Sequence, residues 1–125
     1  MLDVTAAIMK NQKGEILIAR RKPGKSLAGF WEFPGGKVEE GETPEESLAR
    51  ELKEEMNLSV QVGAYIGENV HHYQGFSIRL MAYETEILAG EMKLTDHDAV
   101  QWVAPHKLGG YSLAPADIPL ARMLV

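Results

Sequence analysis

Two short apolar runs rich in β-branched residues, Val4 to Ile8 and Ile16 to Arg21, flank the polar segment KNQKG. Runs of that length around a gap containing Gly predict two strands joined as a hairpin, with Gly14 at the position of positive φ. The next stretch, RKPGKSLAGFWEFPGG, is broken by Pro23, Gly24, Gly29, Pro34 and a Gly pair. It reads as a loop with aromatic anchors, in which WEF forms a short strand and Trp31 and Phe33 belong to the core. Alternation of period two returns over Leu58 to Tyr65 and Phe76 to Leu88, and again in VQWVAP, which predicts three further strands. The final APADIPLARMLV reads as a turn entering a helix.

Between these strands the period changes to that of a helix. Thr43 is a good N-cap, Pro44 suits the first helical position, and Glu46 follows Thr43 by three residues, the spacing of a capping box. At about 100° per residue, Leu48, Ala49, Leu52 and Met56 fall on one apolar arc, while Glu51, Glu54 and Glu55 fall on another. Asn57 follows the last turn and tolerates the left-handed conformation that ends a helix.

The acidic arc is unusual chemistry for a helix. An exposed charge run is ordinarily a solvated face, yet like charges at these spacings destabilise a helix by a few tenths of a kcal/mol each. Two carboxylates about 6 Å apart repel by roughly 0.7 kcal/mol in water and about 3 kcal/mol at an effective dielectric of 20. A divalent cation among them would offset that cost. Oxygen-only ligands favour Mg²⁺ or Mn²⁺, and Mg²⁺ readily shares its coordination with substrate phosphates.

Composition narrows the rest. A chain of 125 residues with 45% hydrophobic content can bury a core of its own, and its length matches one domain over residues 1–125. There are no cysteines, so disulfides and zinc-thiolate sites are excluded. The N-terminus has no basic region before its short apolar run, and no segment reaches a membrane-spanning length, so a cytoplasmic protein without a membrane partner is expected. A net charge of −5 without a Lys/Arg-rich block argues against binding duplex nucleic acid.

The spacing of the acidic segment carries a family resemblance. From Gly36 the letters run five residues to Glu42, seven more, then RELKEEMNL from Arg50 to Leu58. This resembles the Nudix box, G-x5-E-x7-R-E-U-x-E-E-x-G-U with U aliphatic, at eight of its nine constrained positions; Asn57 stands where the family has Gly. The resemblance implies an α/β (α+β) fold, an α/β/α sandwich with a mixed central sheet and the box as a loop-helix-loop. It also implies metal-dependent cleavage of a nucleoside diphosphate linked to another group. On that basis Gly36, Glu51, Glu54 and Glu55 are the expected metal ligands, through the backbone carbonyl for Gly36. Arg50 would orient a box glutamate, and Gly35, Glu42 and Asn57 would be structural. The catalytic base is expected from Glu54, Glu55 or Asp96; the TDHD segment around Asp96 also reads as an ordinary polar turn. His71, His72 and His97 read as surface or packing residues.

The stretch from AGFWEFPGG through the box is similar to the MutT-like branch, whose members convert nucleoside triphosphates to monophosphate and pyrophosphate. Arg21 and Lys37 match basic positions that meet phosphates there, although Arg21 also reads as an exposed charge at a strand end. Tyr73 matches an aromatic set against the base. The tail YSLAPADIPLARML is similar to that of members acting on CTP, dCTP and 5-substituted cytosine nucleotides, and Asp117 occupies a position that reads the base in relatives acting on oxidised guanine. An ionised Asp117 would accept two bonds from a guanine or 8-oxoguanine edge; a protonated one would match cytosine; alternatively it caps the last helix. The expected function is therefore a Mg²⁺-dependent nucleoside triphosphate pyrophosphohydrolase sanitising the nucleotide pool, on 8-oxo-dGTP or cytosine nucleotides, as a monomer or homodimer with a small-molecule partner. A Nudix hydrolase of a different diphosphate, or a non-catalytic nucleotide-binding module, are the other readings.

Overall fold

Strand β1 (Leu2–Met9) shows how the chain layers itself in the computed structural model, which describes residues 1–125. Ala6 and Ile8 face one buried cluster, with Ile18, Leu80 and Leu120; the alternate Ala7 and Met9 face another, with Leu17, Leu48, Leu52 and Met56. A strand apolar on both faces must be covered on both. Helix α1 (Pro44–Met56) covers one side and α2 (Ile118–Met123) the other. The remaining strands are β2 (Ile16–Arg21), β3 (Trp31–Glu32), β4 (Gly35–Lys37), β5 (Ser59–Tyr73), β6 (Phe76–Ala89) and β7 (His97–Val103). They form a mixed sheet of order β4-β1-β6-β5, with β1 and β6 parallel, and an antiparallel sheet of order β3-β2-β7. The second sheet was not foreseen.

The hairpin expected between the first two strands does not form. Gly14 does take a positive φ of 75°, but β1 and β2 meet only at a bridge between Lys10 and Ile16 and then part into different sheets. The reason is that both edges of β1 are already taken, by β4 on one side and β6 on the other. The fifth strand also runs eight residues beyond its expected end at Tyr65. Register shifts between Val62 and Gly67 change which face the side chains point to, and this hides the continuation from a period-two pattern.

The Gly pair, expected in a loop, is strand β4, antiparallel to β1 with Gly35 opposite Ala6 and Gly36 opposite Thr5. A Cβ on Gly35 would sit 1.9 Å from the Thr5 carbonyl oxygen, so no other residue fits without moving one of the strands. Ser47, buried in α1, donates from Oγ to the Lys37 carbonyl at 3.2 Å and ties the helix to this strand.

The helix itself follows its sequence. Thr43 Oγ1 accepts from the Glu46 amide at 3.1 Å, and Glu46 Oε1 accepts from the Thr43 amide at 2.9 Å. Asn57 closes the helix at φ 58° and ψ 33°. Its side-chain Nδ2 donates to the Glu91 carbonyl at 2.9 Å, a tether a Gly could not make. Gly35→Ala is expected to destabilise the fold by about 3 kcal/mol through overpacking, against about 1 kcal/mol for the cap change Thr43→Ala; urea midpoints of the two variants check the order.

Candidate active site

A cavity of about 410 Å³ opens where β4, α1, the segment before β7 and the turn before α2 converge. Gly35, Gly36, Lys37, Glu51, Glu55 and Asp96 line one part of it; Glu32, Phe33, Tyr73, Phe76 and Asp117 line another. The fold thus joins residues as distant in sequence as Glu32 and Asp117, because β3 bridges at Trp31 to Leu113 before the C-terminal turn and leads through Phe33 and Pro34 into β4.

Arg50 organises the acidic part. Its Nε and NH2 donate to the two Glu42 carboxylate oxygens at 2.6 and 3.0 Å. Its NH1 donates to Glu51 at 3.0 Å and to Glu54 at 3.1 Å, and its NH2 reaches the Lys37 carbonyl at 3.2 Å. The bond from Arg50 and that from the Glu39 amide hold the Glu42 carboxyl below its usual range, and the Glu42 carboxylate, helped by Glu51, holds the Arg50 guanidinium charged. Glu51 is thereby fixed over Gly36: a Cβ on Gly36 would fall 2.4 Å from the Glu51 carboxyl carbon. Glu54, mostly exposed, leans on Arg50 and does not line the cavity.

Glu55 has no cationic partner. Burial pushes its carboxyl up to about 9, and the neighbouring Asp96 and Glu51 carboxyls, within hydrogen-bonding reach, push it the same way. Asp96 goes in the other direction. Burial pulls it upward, but hydrogen bonds from Glu55 and Lys25 outweigh that and leave it below its usual range. One of two facing carboxyls therefore holds the proton and the other the charge.

No three acidic or imidazole side chains already surround one point as ligands, because Arg50 holds Glu51 and Glu54. The donor chemistry nevertheless fits a hard divalent cation. Every donor is oxygen, Gly36 belongs to the strand that the Glu51 carboxyl lies across, and the Glu55 carboxyl is raised by burial and by its acidic neighbours with no cation beside it.

The other part of the cavity is apolar around one acid. Asp117 does not cap α2. Its Oδ2 accepts from the Phe33 amide at 2.9 Å, and the residue is 6% exposed. Burial, then the charge of Glu32, push its carboxyl well above the usual range against the pull of the Phe33 amide and Arg21. Tyr73 stacks on Phe76, with ring centroids 5.3 Å apart, and its hydroxyl accepts from the Ala116 amide at 3.2 Å. Arg21 lines the cavity with two of its N–H donors in use: Nε donates to the Ser26 carbonyl at 2.6 Å and NH1 to Glu32 at 3.0 Å.

Glu32 was not singled out in the sequence. It takes both Arg21 and the Nε2 of buried His97, the latter at 2.8 Å, while His97 Nδ1 has no partner. The signal was present, since Glu32 is the single acid in a long stretch of Gly, Pro and aromatics, but nothing in that stretch says that it points inward.

Residues 5–123 match the NUDIX domain, and the chain belongs to the Nudix hydrolases, in their MutT-like branch. It is similar to CTP pyrophosphohydrolase of Escherichia coli (strain K12), 40% identical over 120 residues that cover 96% of this chain and 88% of that protein. It is similar also to 8-oxo-dGTP diphosphatase of the same organism, 31% identical over 123 residues, 98% of this chain and 95% of the relative. The solution structure of the E. coli ORF135 protein matches with a TM-score of 0.87 at 38% identity, covering 98% of this chain and 87% of that one. Nudix hydrolases generally use a divalent metal such as Mg²⁺ and act on small nucleotide substrates. No helix of this chain is long and apolar enough to cross a membrane.

Asp117 offers a test of the apolar part that needs no substrate. Because its proton is held more tightly in the folded state, the stability linked to it is full below the unfolded value of about 3.9 and is lost as pH rises towards the folded value. Asp117→Asn keeps the shape and stays neutral. It is expected to gain on the wild type as pH rises from the unfolded value of about 3.9 towards the folded value, by up to about 1.4 kcal/mol per pH unit. Urea titrations of both proteins across that range measure the gap, and a gap that does not widen contradicts the assignment.

Proposed function

We propose that this protein hydrolyses nucleoside triphosphates to the monophosphate and pyrophosphate, with Mg²⁺ as its cation and Mn²⁺ as a substitute. One observation carries the reading: the acidic group of Glu51, Glu55 and Asp96 opens into the same cavity as Tyr73, Phe76 and Asp117. A nucleotide needs that combination, a cation site for its phosphates and an apolar slot with one polar group for its base.

Glu51, Glu54, Glu55 and the Gly36 carbonyl would hold the cation, with Glu54 turning inward from Arg50. When bound, the cation supplies charge neutralisation on the phosphate oxygens. Arg50 keeps Glu51 aimed across Gly36, and Glu42 keeps Arg50 in place. Lys37, at the acidic end, faces the phosphates. Asp96 or Glu55 takes the proton of the attacking water. Asp96 is suited to it as the ionised member of the facing pair, and Glu55 becomes available once its own proton is displaced.

The state of Asp117 favours cytosine over guanine. A neutral carboxyl has an O–H to donate and an oxygen to accept, which matches the acceptor N3 and the donor N4–H₂ of cytosine. The N1–H and N2–H₂ of guanine both donate and would require the ionised form that burial and Glu32 disfavour. The name of the E. coli relative, CTP pyrophosphohydrolase, points the same way.

The deciding experiment incubates the protein with Mg²⁺ and CTP, dCTP, 5-methyl-dCTP, dGTP or 8-oxo-dGTP, with pyrophosphate and phosphate measured separately. Pyrophosphate, formed fastest from the cytosine nucleotides, is the expected result. Phosphate as the product, or no release from any of them, overturns the reading. In the same assay Glu54→Gln and Glu55→Gln are each expected to lower kcat by about 100-fold or more, and a loss under about tenfold removes these residues from the site.

A further inference from the structure

Accounting for the cations around the cavity leaves one without an assignment. Arg21 gives Nε to the Ser26 carbonyl and one NH1 proton to Glu32, which leaves its remaining N–H groups for the phosphate role already read for it. Lys37 lines the acidic part. The remaining cation is Lys25, whose Nζ lies 3.2 Å from Oδ1 of the cavity-lining Asp96.

We propose that Lys25 is a phosphate-binding residue that rests on Asp96 in the unloaded protein and passes to the distal phosphates of a bound nucleoside triphosphate. The inference rests on the hydrolase reading above. Its support is the way the loop carrying Lys25 is held. On one side the Lys22 amide donates to the Asp96 carbonyl at 3.2 Å; on the other the Ser26 carbonyl accepts from Arg21 Nε at 2.6 Å. Leu27 then adopts φ 57°, a left-handed conformation costly for a residue with a Cβ, and its carbonyl accepts from the Phe30 amide at 3.1 Å. That turn brings Ser26 and Leu27 into the cavity wall.

The backbone on both sides of Lys25 is therefore pinned at the rim, while the ammonium rides on a flexible four-carbon stem with 40% of the side chain exposed. It can swing from a carboxylate to a phosphate with no movement of the loop. Asp96 is an apt resting place. It is an anion beside the carboxylates that would hold the cation, so its partner is released where the phosphates arrive. A monophosphate has no distal phosphates, so Lys25 would let the site distinguish a triphosphate substrate from its own product.

Titration calorimetry tests this without turnover. Non-hydrolysable α,β-imido dCTP and dGTP, and dCMP and dGMP, are titrated in Mg²⁺ buffer into the wild type, Lys25→Met and Lys25→Arg. The expected result is that Lys25→Met weakens the triphosphate analogue about tenfold or more, as loss of a charged hydrogen bond should. Monophosphate affinity should stay within about twofold, and Lys25→Arg should recover most of the loss. Unchanged triphosphate affinity in Lys25→Met, or an equal loss for the monophosphate, overturns the inference and leaves the hydrolase reading standing. Failure of the wild type to bind either triphosphate analogue overturns both.

Discussion

Repulsion between carboxylates governs the architecture around α1. Glu39, Glu42, Glu51 and Glu54 are gathered by a single guanidinium, and Glu55, which that guanidinium does not reach, responds by keeping its proton. Surface ion pairs contribute little singly, but a planar fork that meets one carboxylate with two nitrogens and has a third for its neighbours sets directions as well as charge. Glu51 can lie over β4 because Gly36 has no side chain, and β4 can lie against β1 because Gly35 has none. Helix, strand and carboxylate cluster are one construction.

The cavity built on it handles negative charge in two ways. In its acidic part, charge is concentrated and partly neutralised by shared protons and by cations on flexible or forked side chains. In its apolar part burial pushes the single carboxyl of Asp117 well above its usual range, and a carboxyl that holds its proton can donate a hydrogen bond as well as accept one. Glu32 connects the two. Its Oε2 receives Arg21 and His97, which orients β3, and its charge adds to the burial that pushes the Asp117 carboxyl above its usual range. The electrostatics around Asp117 are thus set by its burial together with a charge from the neighbouring strand.

Much of this was legible from local chemistry. The capping box, the apolar stripe and the left-handed Asn57 depend on neighbours within four residues, and the helix formed as its sequence requires. The spacing of Gly36, Glu42 and the glutamates was legible for the same reason. What escaped was what depends on partners far along the chain. The sequence pattern of β1 shows that it is a strand, yet whether β2 is its neighbour depends on who else claims its edges. β5 looked short because its irregularities shift the side-chain phase, and only pairing with β6 restores the register.

The sequence by itself determined the helix, its caps, the acidic arc and the family, because these are written in spacings of a few residues and in the intrinsic geometry of Gly, Pro and Asn. The tertiary structure alone decided that Asp117 is buried on the Phe33 amide, that Arg21 bonds Glu32 and the Ser26 carbonyl and that Lys25 lies beside Asp96. Protonation and free valence belong to a three-dimensional environment: they are set by desolvation and by charges brought in from other segments, and no local spacing encodes them.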